Sequence, residues 1–136
     1  MLTLSQRSLF DRMLDDIVDA LPEHLHELLE EVPLIVEDEP SDALLADMGM
    51  MGGDADLCGL HWGTPLTERS VSGGDGMPDR MMIFRGPILR LAGIYGRRIT
   101  PEQQAELERQ IRITVLHEIG HHFGLDEDDL DVLGYG

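Results

Sequence analysis

Cysteine is nearly absent: Cys58 is the single one in 136 residues. That excludes an internal disulfide framework and points to a reducing compartment, the cytoplasm. Long apolar runs are missing as well, and no segment approaches the roughly 20 residues needed to span a bilayer. The N-terminus has no secretory pattern, because Asp11, Asp15, Asp16 and Asp19 interrupt it. Positive charge is scarce: ten Lys and Arg stand against 27 Asp and Glu, a formal charge of −17. Nucleic-acid binding draws much of its affinity from basic contacts to phosphate, so this balance argues against a nucleic-acid partner. It also opposes an anionic membrane and favours neutral or cationic ligands. An acidic surplus ordinarily does no more than solvate a small surface, so it identifies no substrate. Internal repeats and low-complexity segments are lacking too, and the length suits a single domain over residues 1–136.

What is present reads as an alternation of helices and short strands. Leu9, Phe10, Met13, Leu14, Ile17, Val18 and Leu21 recur at helical spacing and predict a helix over 5–20. Pro22 suits the first turn of a second helix. Val32 to Val36 reads as a strand, and Ser41 can cap a brief helix to about Ala46. Residues 49–56 and 64–78 read as loops, with strands at Leu57 to Trp62 and Met81 to Phe84 and a short helix around Ile88 to Leu91. Thr100-Pro101-Glu102-Gln103 is a capping box with proline at the first helical position, so a long helix should run from Pro101 to about Phe123. Gly124 supplies its stop, and a last short helix is expected over 127–133.

The final turns of that long helix carry His117-Glu118-Ile119-Gly120-His121, an HExxH motif. At roughly 100° per residue, His121 lies about 40° from His117 around the axis, so both imidazoles can reach one ion. Glu118 lies about 100° from His117, beside the ligands and suited to taking a proton from an activated water. Ile113, Val115, Leu116, Ile119 and Phe123 fall on the other side, which gives the helix a core face distinct from its site face. Thr114 and Ile111 are expected on the site side, lining a cleft. By chance the motif arises in well under about one per cent of chains this long. Catalytic zinc usually has three protein ligands, and two histidines with one carboxylate is an established set. The run Leu125-Asp126-Glu127-Asp128-Asp129, following a turn at Gly124, can supply the carboxylate. His122 reads as a residue behind the ligands or on the surface, His24, His26 and His61 as exposed or core, and Cys58 as a small buried hydrophobe.

The stretch "VLHEIGHHFGLDEDDLDVLGYG" at 115–136 resembles the minimal, single-domain bacterial zincin-like metallopeptidases, whose motif is HExxHxxGxxD. The resemblance continues upstream through "GTPLTERS" (63–70) and "PDRMMIFRGPILR" (78–90), and weakly to "VEDEP" (36–40). It implies a compact zincin-like α/β (α+β) fold, a small mixed sheet packed on a long active-site helix. It implies His117 and His121 as zinc ligands, Glu118 as base and the eleventh motif position, here Glu127, as third ligand. The family has aspartate at that position, and Asp126 or Asp128 is the alternative donor here. Larger relatives place a methionine below the metal; this chain has none after Met82, and Tyr135 is the candidate replacement as site floor or hydrogen-bond donor.

The activity implied is zinc-dependent hydrolysis of a peptide or protein substrate, with Glu118 as general base and Tyr135 assisting at the oxyanion. The strand at Met81 to Arg85 is expected to offer an edge to an extended peptide. A second reading is a zincin scaffold that binds metal weakly or not at all and works as an interaction module. A third, a metal-dependent endoribonuclease, needs a third histidine ligand that is missing here, and the acidic surface opposes it. A homodimer is compatible with all of these.

Overall fold

The computed structural model describes residues 2–47, 57–62, 80–123 and 128. The first helix, α1 (Leu4–Asp19), starts at a capping box that the helical periodicity did not disclose. Gln6 N–H donates to Thr3 Oγ1 at 3.0 Å, and Thr3 N–H donates to Gln6 Oε1 at 2.8 Å. Its apolar stripe buries Leu9, Phe10, Leu14 and Ile17. The second helix, α2 (Glu23–Glu31), has Pro22 as its N-cap, one step before the first turn, and buries Leu25. A short strand, β1 (Leu34–Glu37), leads to α3 (Asp42–Asp47), where Ser41 Oγ accepts from Leu44 N–H at 3.1 Å. Then come β2 (Gly59–Trp62), β3 (Arg80–Phe84), α4 (Arg85–Leu91) and α5 (Pro101–His122). The loops expected at 49–56 and 64–78, and the helix expected over 127–133, fall on residues outside or almost wholly outside those described.

The connection from α4 to α5 is built rather than slack. Gly93 has φ +79°, the left-handed region that favours glycine. Its N–H donates to Arg90 O at 3.0 Å while Ile94 N–H donates to Leu89 O at 2.9 Å, the paired bonds of a Schellman ending. Gln103, already part of the α5 capping box, donates from Nε2 to Gly93 O at 2.9 Å. One side chain therefore starts α5 and fastens it to the end of α4.

The three strands form one mixed sheet in the order β1-β3-β2. β1 runs parallel to β3, pairing Leu34 with Met81 and Val36 with Ile83. β2 runs antiparallel to β3, pairing His61 with Met81 and Gly59 with Ile83. Because side chains alternate along a strand, Leu34, Val36, Met81, Ile83, Gly59 and His61 share one face. Met81 and Ile83 are fully buried there and join Phe10, Ile88, Leu107, Ile111 and Val115 in a continuous core. This is the small mixed sheet on a long helix that the resemblance implied. β3, however, is the central strand, paired on both sides, so it cannot offer an edge to a peptide. Among the described residues, the edge strand packed on α5 is β2. Among the described residues no helix is long and apolar enough to cross a membrane.

Candidate metal centre

α5 brings the two motif histidines together as the helical spacing requires. His117 Nε2 and His121 Nε2 stand 3.0 Å apart, with ring centroids 4.6 Å apart and planes at 77°. Both rings are half-buried. Two imidazole nitrogens each about 2.0–2.1 Å from a tetrahedral zinc ion lie roughly 3.3 Å apart. The pair therefore needs an adjustment of only a few tenths of an ångström to hold one ion, and the donor set suits zinc.

Glu118 is not on the open side of the helix. It is 5% exposed and belongs to a row, Thr114, Glu118 and His122, spaced at i, i+4 and i+8 along α5. That row faces β2. A methyl group built at Gly59 would lie 2.9 Å from Thr114 Cγ2 and 3.0 Å from both Cγ and Oε2 of Glu118. Two residues further along β2, the His61 ring meets the His122 ring edge-on, at 5.5 Å and 71°. Thr114 is held in turn, since its hydroxyl donates to Gln110 O at 2.8 Å. The edge strand and the motif helix are thus registered at two points, Gly59 on Glu118 and His61 on His122.

Several residues read from the sequence fall elsewhere than expected. Ile111 is fully buried in the core and lines no cleft, because the sheet covers that side of the helix. Thr114 is nine-tenths buried against β2. Phe123, expected on the core face, is 40% exposed at the helix end. His122 is 3% exposed and faces His61 on β2, so the surface reading fails. His24 is exposed, His26 half-buried, and Cys58 packs against the core as a half-buried hydrophobe. Gly59 and His61 were not singled out as site residues. A glycine inside a short strand is itself a signal of close backbone approach.

No group of three or more His, Cys, Asp or Glu side chains that could hold a metal is found among the described residues. Glu127, Asp126 and Tyr135 lie outside them, and Asp128 is exposed where it is described. A cavity of about 490 Å³ lies between α1 and α5, lined in part by Arg12, Met13, Ile17, Leu21, Arg112 and Leu116. None of the motif's His117, Glu118 or His121 lines it.

Burial pushes the Asp38 carboxyl up, but hydrogen bonds and charge from Arg7 and Arg85 outweigh it and leave the group lowered. The Arg85 guanidinium is raised chiefly by its hydrogen bonds to Asp11, against a smaller opposing effect of burial.

The family model described as zincin-like metallopeptidase matches residues 29–135. The match takes in β1, the whole sheet, α4, α5 and the HExxH motif. No curated protein matches the chain.

Proposed function

Because the chain belongs to the zincin-like metallopeptidase family, we propose that it is a zinc-dependent peptidase in which His117 and His121 hold the metal and Glu118 is the general base. The observation that carries this reading is the histidine pair, 3.0 Å apart, with a buried glutamate beside it packed close to the neighbouring strand. When bound, zinc lowers the pKa of a coordinated water to about 7 and polarises the scissile carbonyl.

The residues of the chain do the rest. The His117 and His121 imidazoles orient the ion from one helix face. Glu118 takes the proton from the attacking water and delivers it to the leaving amine. The third ligand is Glu127, with Asp126 or Asp128 as the alternative, and Tyr135 assists at the oxyanion. β2, the edge strand packed on α5, is where an extended peptide adds by main-chain hydrogen bonds. The charge of −17 favours neutral or cationic peptides over nucleic acid, and the single cysteine suits work in the cytoplasm.

The test is Glu118→Gln, assayed for bound zinc and for cleavage of a peptide library. Zinc content should be unchanged while turnover falls by about 10²–10⁴, the usual contribution of a general base. Retained proteolysis in this variant would sink the mechanism. Wild-type protein that holds little zinc and cleaves nothing would favour an interaction module on the same scaffold.

A further inference from the structure

We propose that the corner where α1 begins and the α4-to-α5 connection passes is a docking site for an acidic protein segment. The segment seats one apolar side chain in the cavity there and sets its carboxylates on Arg97 and Arg98. Roughly 25 Å of helix lies between Thr100 and His117 at the α-helical rise, so this corner and the histidine pair are separate.

A cavity of about 220 Å³ opens at this corner. Leu89 and Ile94, both buried, and the half-buried Leu2 give it apolar walls, while Arg90, Tyr95 and Arg97 give it polar ones. Cavities of about 150 Å³ hold a benzene ring, so one phenylalanine-sized group fits. The backbone here is tied on three sides. Ile94 N–H donates to Leu89 O on α4 at 2.9 Å. Gly96 O accepts from Gln6 Nε2 on α1 at 3.0 Å, and Gly93 O from Gln103 Nε2 on α5 at 2.9 Å. A surface preformed in this way loses less freedom on binding. Tyr95 stands between two of these anchors, yet its side chain stays out of the core, and the residue is 77% exposed. Tyrosine and arginine are the residue types in which interface binding energy concentrates.

Charge selects the occupant. The chain carries 27 acidic residues against ten basic ones, and Arg7, Arg85, Arg90, Arg109 and Arg112 each hold a carboxylate. Arg97 and Arg98, both exposed, take part in no ion pair found among the described residues. No acidic side chain stands among the described residues that line the cavity. Two adjacent open cations beside an apolar cavity complement a carboxylate next to an apolar side chain. At physiological salt, charges more than about 8 Å away are largely screened, so these guanidinium groups outweigh the acids of remote faces. Two cations are few for a nucleic acid, whose affinity accumulates over many phosphate contacts.

The test titrates the full chain, with chelator present, against a short fluorescent peptide carrying one phenylalanine among aspartates and glutamates, read by anisotropy. Parallel titrations use the same peptide with its acids changed to amides, a single-stranded oligonucleotide, and vesicles of anionic phospholipid. The acidic peptide should bind with a Kd below about 1 mM, about tenfold tighter than its amide form, and release as salt rises. Arg97→Gln/Arg98→Gln should weaken it by about tenfold and bind the two peptides alike. Tyr95→Ala should weaken both peptides by about fivefold. All three positions are exposed, so the variants should keep the wild-type midpoint in urea. A photoreactive group on the phenylalanine ring should label Leu2, Leu89 or Tyr95. The proposal is overturned by no binding up to about 1 mM, or by equal affinity of the wild type for acidic and amide peptides. Unchanged binding in the arginine variant, labelling at the His117 end of α5, or tighter binding of oligonucleotide or vesicles would overturn it too. A chain that binds here and cleaves nothing when zinc is supplied removes the peptidase reading alone. One that cleaves and does not bind removes the docking site alone.

Discussion

Replacing Arg85 by alanine should destabilise the fold by about 2–3 kcal/mol, more than an ordinary surface ion pair accounts for. Arg85 sits at the junction of β3 and α4, with a side chain only 17% exposed. Its Nε and Nη2 donate to the two carboxylate oxygens of Asp11 on α1, at 2.8 and 2.9 Å. Its Nη1 donates to Asp38 Oδ1, just beyond β1, at 3.0 Å. One guanidinium thereby ties the first helix, the central strand and the end of the parallel strand. Hydrogen bonds to charged groups contribute roughly 1.5–3 kcal/mol when shielded, whereas exposed pairs contribute about 0.2–1. Asp11 is 46% exposed and Asp38 30%, so about 1 kcal/mol for each carboxylate is a fair share after solvent screening. Loss of the packed aliphatic stem adds the remainder.

Urea denaturation at neutral pH measures the loss, and an unchanged slope confirms that the same transition is followed. Arg85→Lys should recover less than half of it, because an ammonium cannot grip Asp11 through two parallel bonds. A double-mutant cycle of Arg85→Ala with Asp38→Asn should give a coupling near 1 kcal/mol. That coupling carries a pH signature. The Asp38 pKa is lowered in the fold, so its contribution is present above the unfolded carboxylate pKa and is lost as pH falls through the folded one. The coupling should persist from pH 7 to about pH 4 and shrink below it. A loss under about 0.5 kcal/mol for Arg85→Ala, or a coupling indifferent to acid, would refute the staple.

Two further outcomes can be checked with the same protein. Thr100→Ala removes the Thr100 Oγ1 acceptor of the Gln103 N–H in the α5 capping box and should cost about 1 kcal/mol in urea. Lying at the far end of the helix, it should leave zinc affinity untouched, and a loss of zinc would mean that α5 unwinds as a whole. Zinc at about 100 times its Kd should raise stability by about 2.7 kcal/mol, reversed by chelator. His121→Ala should abolish that gain, and a thermal midpoint unmoved by zinc in the wild type would dismiss the histidine pair as a metal site.

The helices were legible in the sequence because their signals are local. The box at Thr100 with Pro101 and Gln103 located the start of α5, and the apolar spacing from Leu9 to Ile17 located α1. Strand existence was legible too, but strand position was not. β3 alternates half-buried and buried residues as an edge strand might, and only its parallel pairing with β1 across a long connection makes it central. The wheel gave the correct angles for His117, Glu118 and His121. It could not say what covers each angle, which is why Ile111 read as a cleft residue and proved to be core. Gly59 escaped notice for the same reason, since its partner Glu118 is reached only through the tertiary packing of β2 on α5.

Two of the stretches upstream of HExxH that carry the family likeness, 36–40 and 80–90, meet in space. From "VEDEP", Asp38 binds Arg85 and Glu39 binds Arg90 of "FRGPILR". Gly86 N–H donates to Asp38 O at 2.8 Å, and its missing side chain leaves room for the Glu39 carboxylate. These segments cross-link β1 to the start of α4, on residues other than the histidine pair and Glu118. Sequence likeness there is a statement about the scaffold, while likeness at His117, Glu118 and His121 is a statement about chemistry. The two should separate under mutation. Variants in 36–40 and 84–90 should lose stability with kcat intact in the folded fraction, and variants at Glu118 should lose kcat with the fold intact. A zincin scaffold that had abandoned catalysis would keep the first set of contacts and tolerate change in the second, so the response to substitution at His117, Glu118 and His121 distinguishes an enzyme from a retained fold.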